Sequence, residues 1–414
     1  MSNFAHLDLP SEILKSLEQN NILSPTEIQA QAIPSVFQGL DILASSQTGS
    51  GKTLAYLLPI ISMIMKSSGK ALILSPTREL TLQICDTLNK MVRKMDISGV
   101  AIIGGESFFR QTLKLKDKPH ILIGTPGRMI DHLTRKTIKL DDFRYLVLDE
   151  MDSMLDMGMK KQLDQILQYM PKQRQVLMFS ATVPNHILEI SRKYLRNPER
   201  IVVGSATKPA PEVEQAFLKM PHAHKYAELD SQLTSKEGTA IIFVTTKRGA
   251  DRLTGRLRDS GHKADVIHGG LNQSKRSRVI AGFRAERIRI LVATDVVARG
   301  LDVNHIKFVF NYDLPMSAED YLHRIGRTGR AGAQGFAISF VSPEDNSKMR
   351  AIEKLIHKGE SSPRETFKKK GRGGEPRSEG RREWRQGDRK EGRGSSRHDE
   401  HRGFRKQKEE RSRS

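Results

Sequence analysis

The sequence predicts an α/β protein with two successive parallel-sheet domains and a C-terminal tail that cannot build a core. Three observations lead there. Up to about residue 358, short apolar runs alternate with helical patterns, as in strand–helix units on a parallel sheet. The run Gln47-Thr48-Gly49-Ser50-Gly51-Lys52-Thr53 sits between a strand-like and a helical segment, the setting of a phosphate-binding loop. From Gly359 to Ser414 there is no Leu, Ile, Val, Ala or Met, so burial cannot offset the entropy of ordering that stretch. The 414 residues therefore divide into a first domain (1–204), a linker (205–213), a second domain (214–358) and a disordered basic Arg/Gly-rich tail (359–414). Pro198, Gly204-Ser205, Pro209 and Pro211 make 198–211 read as the connecting stretch.

Charge points to a polyanionic partner. The formal net charge is +21, most simply matched by nucleic acid. The tail holds 13 Arg and 6 Lys against 11 acids, a net of +8. Its Arg-Gly pairs, with Trp384 and Phe404, suit flexible contact with single-stranded RNA. The other reading of the tail is a solubilising appendage. The single cysteine, Cys85, excludes an internal disulfide framework and reads as packing in a reducing compartment. The N-terminus has no secretory pattern. The longest apolar run, Leu54 to Met65, is too short to span a bilayer and contains Pro59. A soluble, cytoplasmic protein without membrane contact is expected.

In chain order, Phe4 and Pro25-Thr26-Glu27-Ile28-Gln29 come first. Gln29 could pair with adenine N6 and N7, with Phe4 stacked on the ring; alone, the segment reads as an ordinary amphipathic helix. Asp41 to Ala44 is a buried strand that leads into the Gly-rich loop, whose first position is Ser46 rather than the usual Gly or Ala. Gly49 and Gly51 let backbone N–H groups curl around a polyphosphate at a helix N-terminus. Lys52 would reach the β- and γ-phosphates, and Thr53 would hold Mg²⁺. Lys70 to Ser75 is a strand followed by Pro76-Thr77-Arg78-Glu79-Leu80. Gly104-Gly105 and Thr125-Pro126-Gly127-Arg128 follow further strands and place small residues, hydroxyls and arginine at one sheet edge, where open α/β sheets put ligands. The Gly pair by itself is ordinary turn chemistry.

The strand Tyr145 to Leu148 ends in Asp149-Glu150-Met151-Asp152. Asp149 would sit by the metal and Glu150 would deprotonate the attacking water. After the strand Gln175 to Phe179, the hydroxyls of Ser180-Ala181-Thr182 could bond Asp152 and link the nucleotide site to the domain interface. The second half repeats the alternation without a second phosphate loop, so one ATP is expected, held mainly by the first domain. Its strands Ala240 to Val244 and Ile290 to Ala293 lead into Thr245-Thr246-Lys247-Arg248 and Thr294 to Asp302. His268-Gly269-Gly270, Gln273 to Arg276 and His323-Arg324-Ile325-Gly326-Arg327-Thr328-Gly329-Arg330 complete the set. Spaced arginines on a Gly-containing loop are poor core and good phosphate ligands.

These segments, in this order, resemble a DEAD-box RNA helicase of superfamily 2, over about residues 4 to 342; the short form with a basic tail is similar to bacterial members. The resemblance implies two RecA-like domains, ATP as fuel with Mg²⁺, and RNA as partner, single-stranded and in short duplexes, read with low sequence specificity. It implies that Phe4 and Gln29 read adenine and that Gln47, Thr48, Gly49, Ser50, Gly51, Lys52 and Thr53 hold the phosphates. Asp302 would contact the ribose, Thr53 and Asp149 the metal. Lys52, Asp149 and Glu150 would serve hydrolysis, with Arg327 and Arg330 as arginine fingers. Asp152, Ser180, Thr182 and His323 would couple the site to the interface. Arg78, Gly105, Thr125, Arg128, Thr245, Gly270, Thr294 and Arg299 would lie along the RNA backbone. The family mechanism is local and non-processive: closure bends one strand, a few base pairs part, and hydrolysis reopens the clamp. Here the signature tetrad has Met151 where the family has Ala, Thr81 and Val297 also depart, and no catalytic group is lost. The rival expectation is an ATP-gated RNA clamp or scaffold using the same residues; a DNA helicase is disfavoured by the RNA-helicase motif set. Protein partners are unspecified by the sequence.

Overall fold

The computed structural model describes residues 3–47, 49–67, 69–204, 213–298, 301, 303–330 and 333–357. Thr48, Arg299, Asp302 and the tail from 358 onward, all singled out above, lie outside the described residues.

The first half carries seven strands: β1 (Ile42–Ser46), β2 (Lys70–Leu74), β3 (Gly99–Ile102), β4 (Ile121–Gly124), β5 (Phe143–Leu148), β6 (Gln175–Ser180) and β7 (Glu199–Val203). They form one sheet in the order β3-β4-β2-β5-β6-β1-β7, and each pairing is parallel. The second half carries β8 (Val213–Lys219), β9 (Thr239–Phe243), β10 (Ala264–Ile267), β11 (Ile290–Ala293), β12 (Ile306–Asn311) and β13 (Gly335–Val341). Their parallel sheet runs β10-β11-β9-β12-β13-β8. The expected two-domain parallel α/β architecture is the observed one.

The apolar runs are continuous in sequence because both faces of each sheet are covered. The period of two then sorts side chains to opposite faces. In the first sheet Ile42, Ala44, Ile73 and Val147 enter one cluster, and Leu43, Leu72, Leu146 and Leu148 enter the other. In the second, Ile241, Phe243 and Leu291 face one way, and Ala240, Ile242 and Ile290 the other. The two sheet-bearing halves fall in one compact unit.

Two boundaries differ from the sequence reading. The stretch read as connector from Pro198 contains β7, which pairs with β1 from Ile42↔Glu199 to Ser46↔Val203. Pro198 and Gly204 bracket a short strand that completes the sheet edge and buries Ile201. Val213, placed in the linker, is the first residue of β8 and pairs with Gly335. β1 also runs on to Ser46, so the loop proper starts at Gln47.

Candidate active site between two sheets

The Gly-rich loop follows β1 and ends where the helix Lys52–Lys66 begins. Gly49 and Gly51 take φ of +85° and +94°, values that L side chains rarely adopt. A Cβ on Gly51 would lie 2.5 Å from Gln29 Nε2 and 2.8 Å from Thr26 Oγ1. That closeness is a contact: Gln29 Nε2 donates to the Gly51 carbonyl at 3.0 Å, while its Oε1 accepts from the Thr26 N–H at 3.0 Å. Gln29 therefore caps its own helix in a capping box and braces the loop. It is 2% exposed, and Phe4 is buried in the core. Gln29 thus links its own helix cap to the loop, and Phe4 packs beside that helix in the first-domain core.

Lys52 folds back over the loop, its Nζ donating to Ser46 O at 2.5 Å and Gln47 O at 2.8 Å. Burial lowers its pKa, opposed by the charges of Asp149, Glu150 and Asp152. Ser46 and Ser50 bridge the loop, hydroxyl to hydroxyl, at 2.7 Å.

Asp149 follows β5, two strands from β1 in the sheet. Its carboxylate accepts from Tyr56 Oη at 2.9 Å and from the Glu150 N–H at 2.9 Å. Burial raises its pKa against the opposing pull of Lys52. Glu150 takes φ +49° at the start of the helix Met151–Asp156, a conformation that costs a non-Gly residue about 1–3 kcal/mol and concentrates at functional sites. Burial raises the Glu150 pKa, with Arg327 pulling the other way, and its Oε2 has no hydrogen-bond partner among the described residues.

Asp152 collects donors from the end of β6, which lies between β5 and β1. Its Oδ2 accepts from Ala181 N and Thr182 N at 3.0 Å and from Thr182 Oγ1 at 3.3 Å. His323 Nε2 reaches it from the second half at 3.7 Å. Burial would raise the Asp152 pKa, but the His323 charge and the Thr182 and Ser153 N–H groups outweigh burial and hold it low. Ser180 is not part of this cluster. Its hydroxyl donates to Thr182 O at 2.6 Å, which corrects the expectation that both hydroxyls bond Asp152; the turn carries Ser180 Oγ inward to its own backbone.

Arg327 and Arg330 face the same cleft. A cavity of about 380 Å³ is lined by Gly49, Gly51, Lys52, Thr53, Asp149, Glu150 and these two arginines, with Asn304 beside them. The Arg327 guanidinium is oriented by His323 O at 3.1 Å and Leu301 O at 2.9 Å, and Arg330 Nε donates to Gly326 O at 3.0 Å.

A second group gathers at a neighbouring edge. The Arg78 guanidinium lies against Gly105, where a Cβ would collide with its Nη1. Arg128 donates to Ile103 O at 3.1 Å and Glu106 O at 2.6 Å, and so braces the same turn. Thr125 stands at the N-cap position of the helix Pro126–Thr134 without a side-chain cap hydrogen bond. In the second half, Thr245 and Gly270 are exposed, their N–H groups donating to Asp313 and His268. Thr294 follows β11 and is buried, its N–H donating to Ile267 O at 3.3 Å.

Sequence reasoning gave no role to the pair that joins the halves here. Arg276 Nη2 and Glu79 Oε2 form an ion pair between side chains that are both buried, and Arg78 Nη1 donates to Gln273 Oε1 at 3.4 Å. Glu79 and Arg276 stood inside segments already singled out, but nothing local says which distant side chain each meets. Tyr56, in an apolar run, gave no signal of its hydrogen bond to Asp149.

Comparison with known proteins agrees with this geometry. The DEAD/DEAH box helicase model matches residues 26–190, and the helicase conserved C-terminal domain model matches 224–332. The ATP-dependent RNA helicase DbpA of Bacillus subtilis is 41% identical over 359 residues, covering 86% of this chain and 75% of that one. The chain belongs to the DEAD-box ATP-dependent RNA helicase family. Among solved structures, Dbp5 of S. cerevisiae bound to RNA and ADP BeF3 superposes with a TM-score of 0.79 at 31% identity, over 86% of this chain and 94% of that one. The DEAD-box helicase Mss116 bound to ssRNA and UDP-BeF gives 0.80 at 26% identity, over 85% and 78%. The two sheets of this DEAD-box protein are thus RecA-like domains, and its cleft lies where the signature acids and the phosphate loop of the first domain face the arginines of the second.

Proposed function

We propose that this RNA-dependent ATPase and RNA helicase separates short duplexes locally and non-processively, with ATP hydrolysis tied to closure of its two domains. One observation supports this most: Lys52, Asp149 and Glu150 of the first domain line the same cavity as Arg327 and Arg330 of the second. Hydrolysis that needs groups from both domains requires them to be together, so turnover reports closure.

In this reading Lys52 leaves the Ser46 and Gln47 carbonyls for the β- and γ-phosphates, and Glu150 takes the proton of the attacking water. Its raised pKa moves it toward the basicity a general base needs. Arg327 and Arg330 meet the charge that develops in the transition state. Among the described residues no cluster of three or more His, Cys, Asp or Glu forms a self-contained metal site. The buried Asp149 carboxylate and the unbonded Glu150 Oε2 nevertheless fit a hydrated Mg²⁺ shared with phosphates. Asp149 and Thr53 would hold that ion, which supplies neutralising charge to the phosphates. Asp152, Thr182 and His323 carry the state of the cleft to the interface. Arg78, Gly105, Thr125 and Arg128, with Thr245 and Gly270, track the RNA backbone, mostly through phosphates and 2′-hydroxyls and therefore with low sequence specificity. The basic tail adds further RNA contact, and the working compartment is the cytoplasm. Among the described residues no helix is long and apolar enough to cross a membrane.

The test compares ATP turnover with RNA, with DNA and with neither, and strand separation over a duplex-length series. Stimulation by RNA alone and unwinding that fades with duplex length are expected. Glu150→Gln should keep the ATP–RNA complex while turnover falls roughly 10²–10⁴-fold. Full ATP-dependent RNA retention with no separation of even the shortest duplex would favour the clamp reading instead.

A further inference from the structure

The helix Phe108–Lys116 follows the Gly104–Ser107 turn, where Arg128 donates to Ile103 O just before it and to Glu106 O within it. Its inner face is accounted for. Phe108 stacks on His132 with ring centroids 4.1 Å apart and planes 11° apart. The Arg128 and Arg135 guanidinium groups lie 5.7 and 4.6 Å from the Phe108 ring, and Gln111 and Leu115 are buried. The adjoining flank is not. Phe109 is 69% exposed and Leu113, one turn on, is 44% exposed. Single exposed apolar residues are common on protein surfaces, but these two are i, i+4 neighbours and share a patch. The helix carries Arg110, Lys114 and Lys116 and no acid, and Arg135 and Lys136 stand exposed at the end of the next helix.

We propose that Phe109, with Leu113 beside it, is a stacking platform for an unpaired RNA base, ringed by cations that hold the flanking phosphates. The choice of occupant follows from charge. Protein–protein interface cores are depleted in lysine, whereas an exposed aromatic among Lys and Arg is the composition that binds single strands by stacking plus phosphate contact. The platform rests on the reading that Gly105 and Arg128 line the RNA path, and lies just beyond them. It differs from that path in kind, since the path touches backbone and the platform touches a base face. A base inside a duplex is covered on both faces by its neighbours. The platform therefore selects unpaired nucleotides and retains a strand once it has been parted.

The experiment uses the full-length protein and short RNA oligonucleotides carrying 2-aminopurine at successive positions. One position should be quenched by wild type and not by Phe109→Ala. The Phe109→Ala substitution should weaken single-strand binding about five- to tenfold, leave turnover at saturating RNA unchanged, and lose its penalty when the contacted nucleotide is abasic. Phe109→Trp should bind at least as tightly as wild type, and Phe109→Leu should fall with Ala. Equal binding by wild type and Phe109→Ala overturns the platform, as does full affinity in Phe109→Leu. A changed self-association with unchanged RNA affinity also overturns it and makes the patch a protein contact. Arg128→Ala separates the two readings. If it weakens RNA binding while Phe109→Ala does not, only the platform fails. If Arg128→Ala binds normally, the path fails, and the abasic result alone judges the platform.

Discussion

Met151, the departure from the family tetrad, is fully buried among Leu43, Leu148, Met178 and Ile187. It holds neither metal nor proton, and its thioether fills a gap under the first sheet. Met151→Ala should therefore cost about 2–5 kcal/mol of stability through the cavity it leaves, while RNA-stimulated turnover per folded molecule changes modestly. Urea unfolding alongside ATPase assays would measure both. His132 makes a different kind of prediction. Burial, then the charge of Arg128, pushes its imidazole down to about 4, with Thr137 Oγ1 at 2.7 Å and Gln111 Oε1 at 3.1 Å. The unfolded chain binds the proton near 6.5, so it takes up more protons than the native state as pH falls. Stability is complete above pH 6.5 and is lost between 6.5 and about 4. Discounted for nearby solvent, the loss is about 1–2 kcal/mol. His132→Gln should remove that part of the slope, read from denaturant midpoints at pH 7.5 and pH 5.

At the scale of elements, the phosphate loop is held by a helix that precedes it in sequence. Gly51 leaves room for the Gln29 amide and the Thr26 hydroxyl, so the cap of the helix Glu27–Phe37 and the loop share one contact. Gly51→Ala would add a Cβ at φ +94° and push both partners away. The left-handed backbone costs about 1–2 kcal/mol and a lost cap about 0.5–2 kcal/mol. Thermal melting should show that loss, and titration calorimetry should show ATP affinity down at least about tenfold, a 1.4 kcal/mol effect. The sharp turns around this loop were legible because glycine and Ser/Thr spacing act locally. β7 was not, because five residues between Pro198 and Gly204 look like connector until β1 offers them an edge. Ser180 was misassigned for a similar reason: its turn geometry decides whether a hydroxyl faces Asp152 or its own chain.

For the whole molecule, the buried Glu79–Arg276 pair joins the two halves, and the proposed closure makes it a test. Taking one charge away strands the other in a dry interface, a penalty of about 2–5 kcal/mol for such truncations. Arg276→Ala should therefore raise the RNA concentration needed for half-maximal ATPase well over tenfold, with the folding of each domain intact by circular dichroism. Glu79→Gln with Arg276→Gln together should recover part of that loss, because neither charge is then buried alone. If the double variant is no better than the single ones, the pair holds the fold of its own domains and not their closure.

The two parallel-sheet domains, the phosphate loop and the acids at the end of β5 were legible from residue order alone. Those depend on short-range rules: apolar runs, glycine where φ is positive, and chemistry at strand ends. Which of the singled-out groups are committed to one another came from long-range packing. It gave the Gln29 amide to Gly51, the Asp152 carboxylate to Thr182 and His323, and the Glu79 carboxylate to Arg276. Such choices pair residues up to 197 positions apart. A side chain's type states what it can bond, while only the packing of distant strands states what comes within reach.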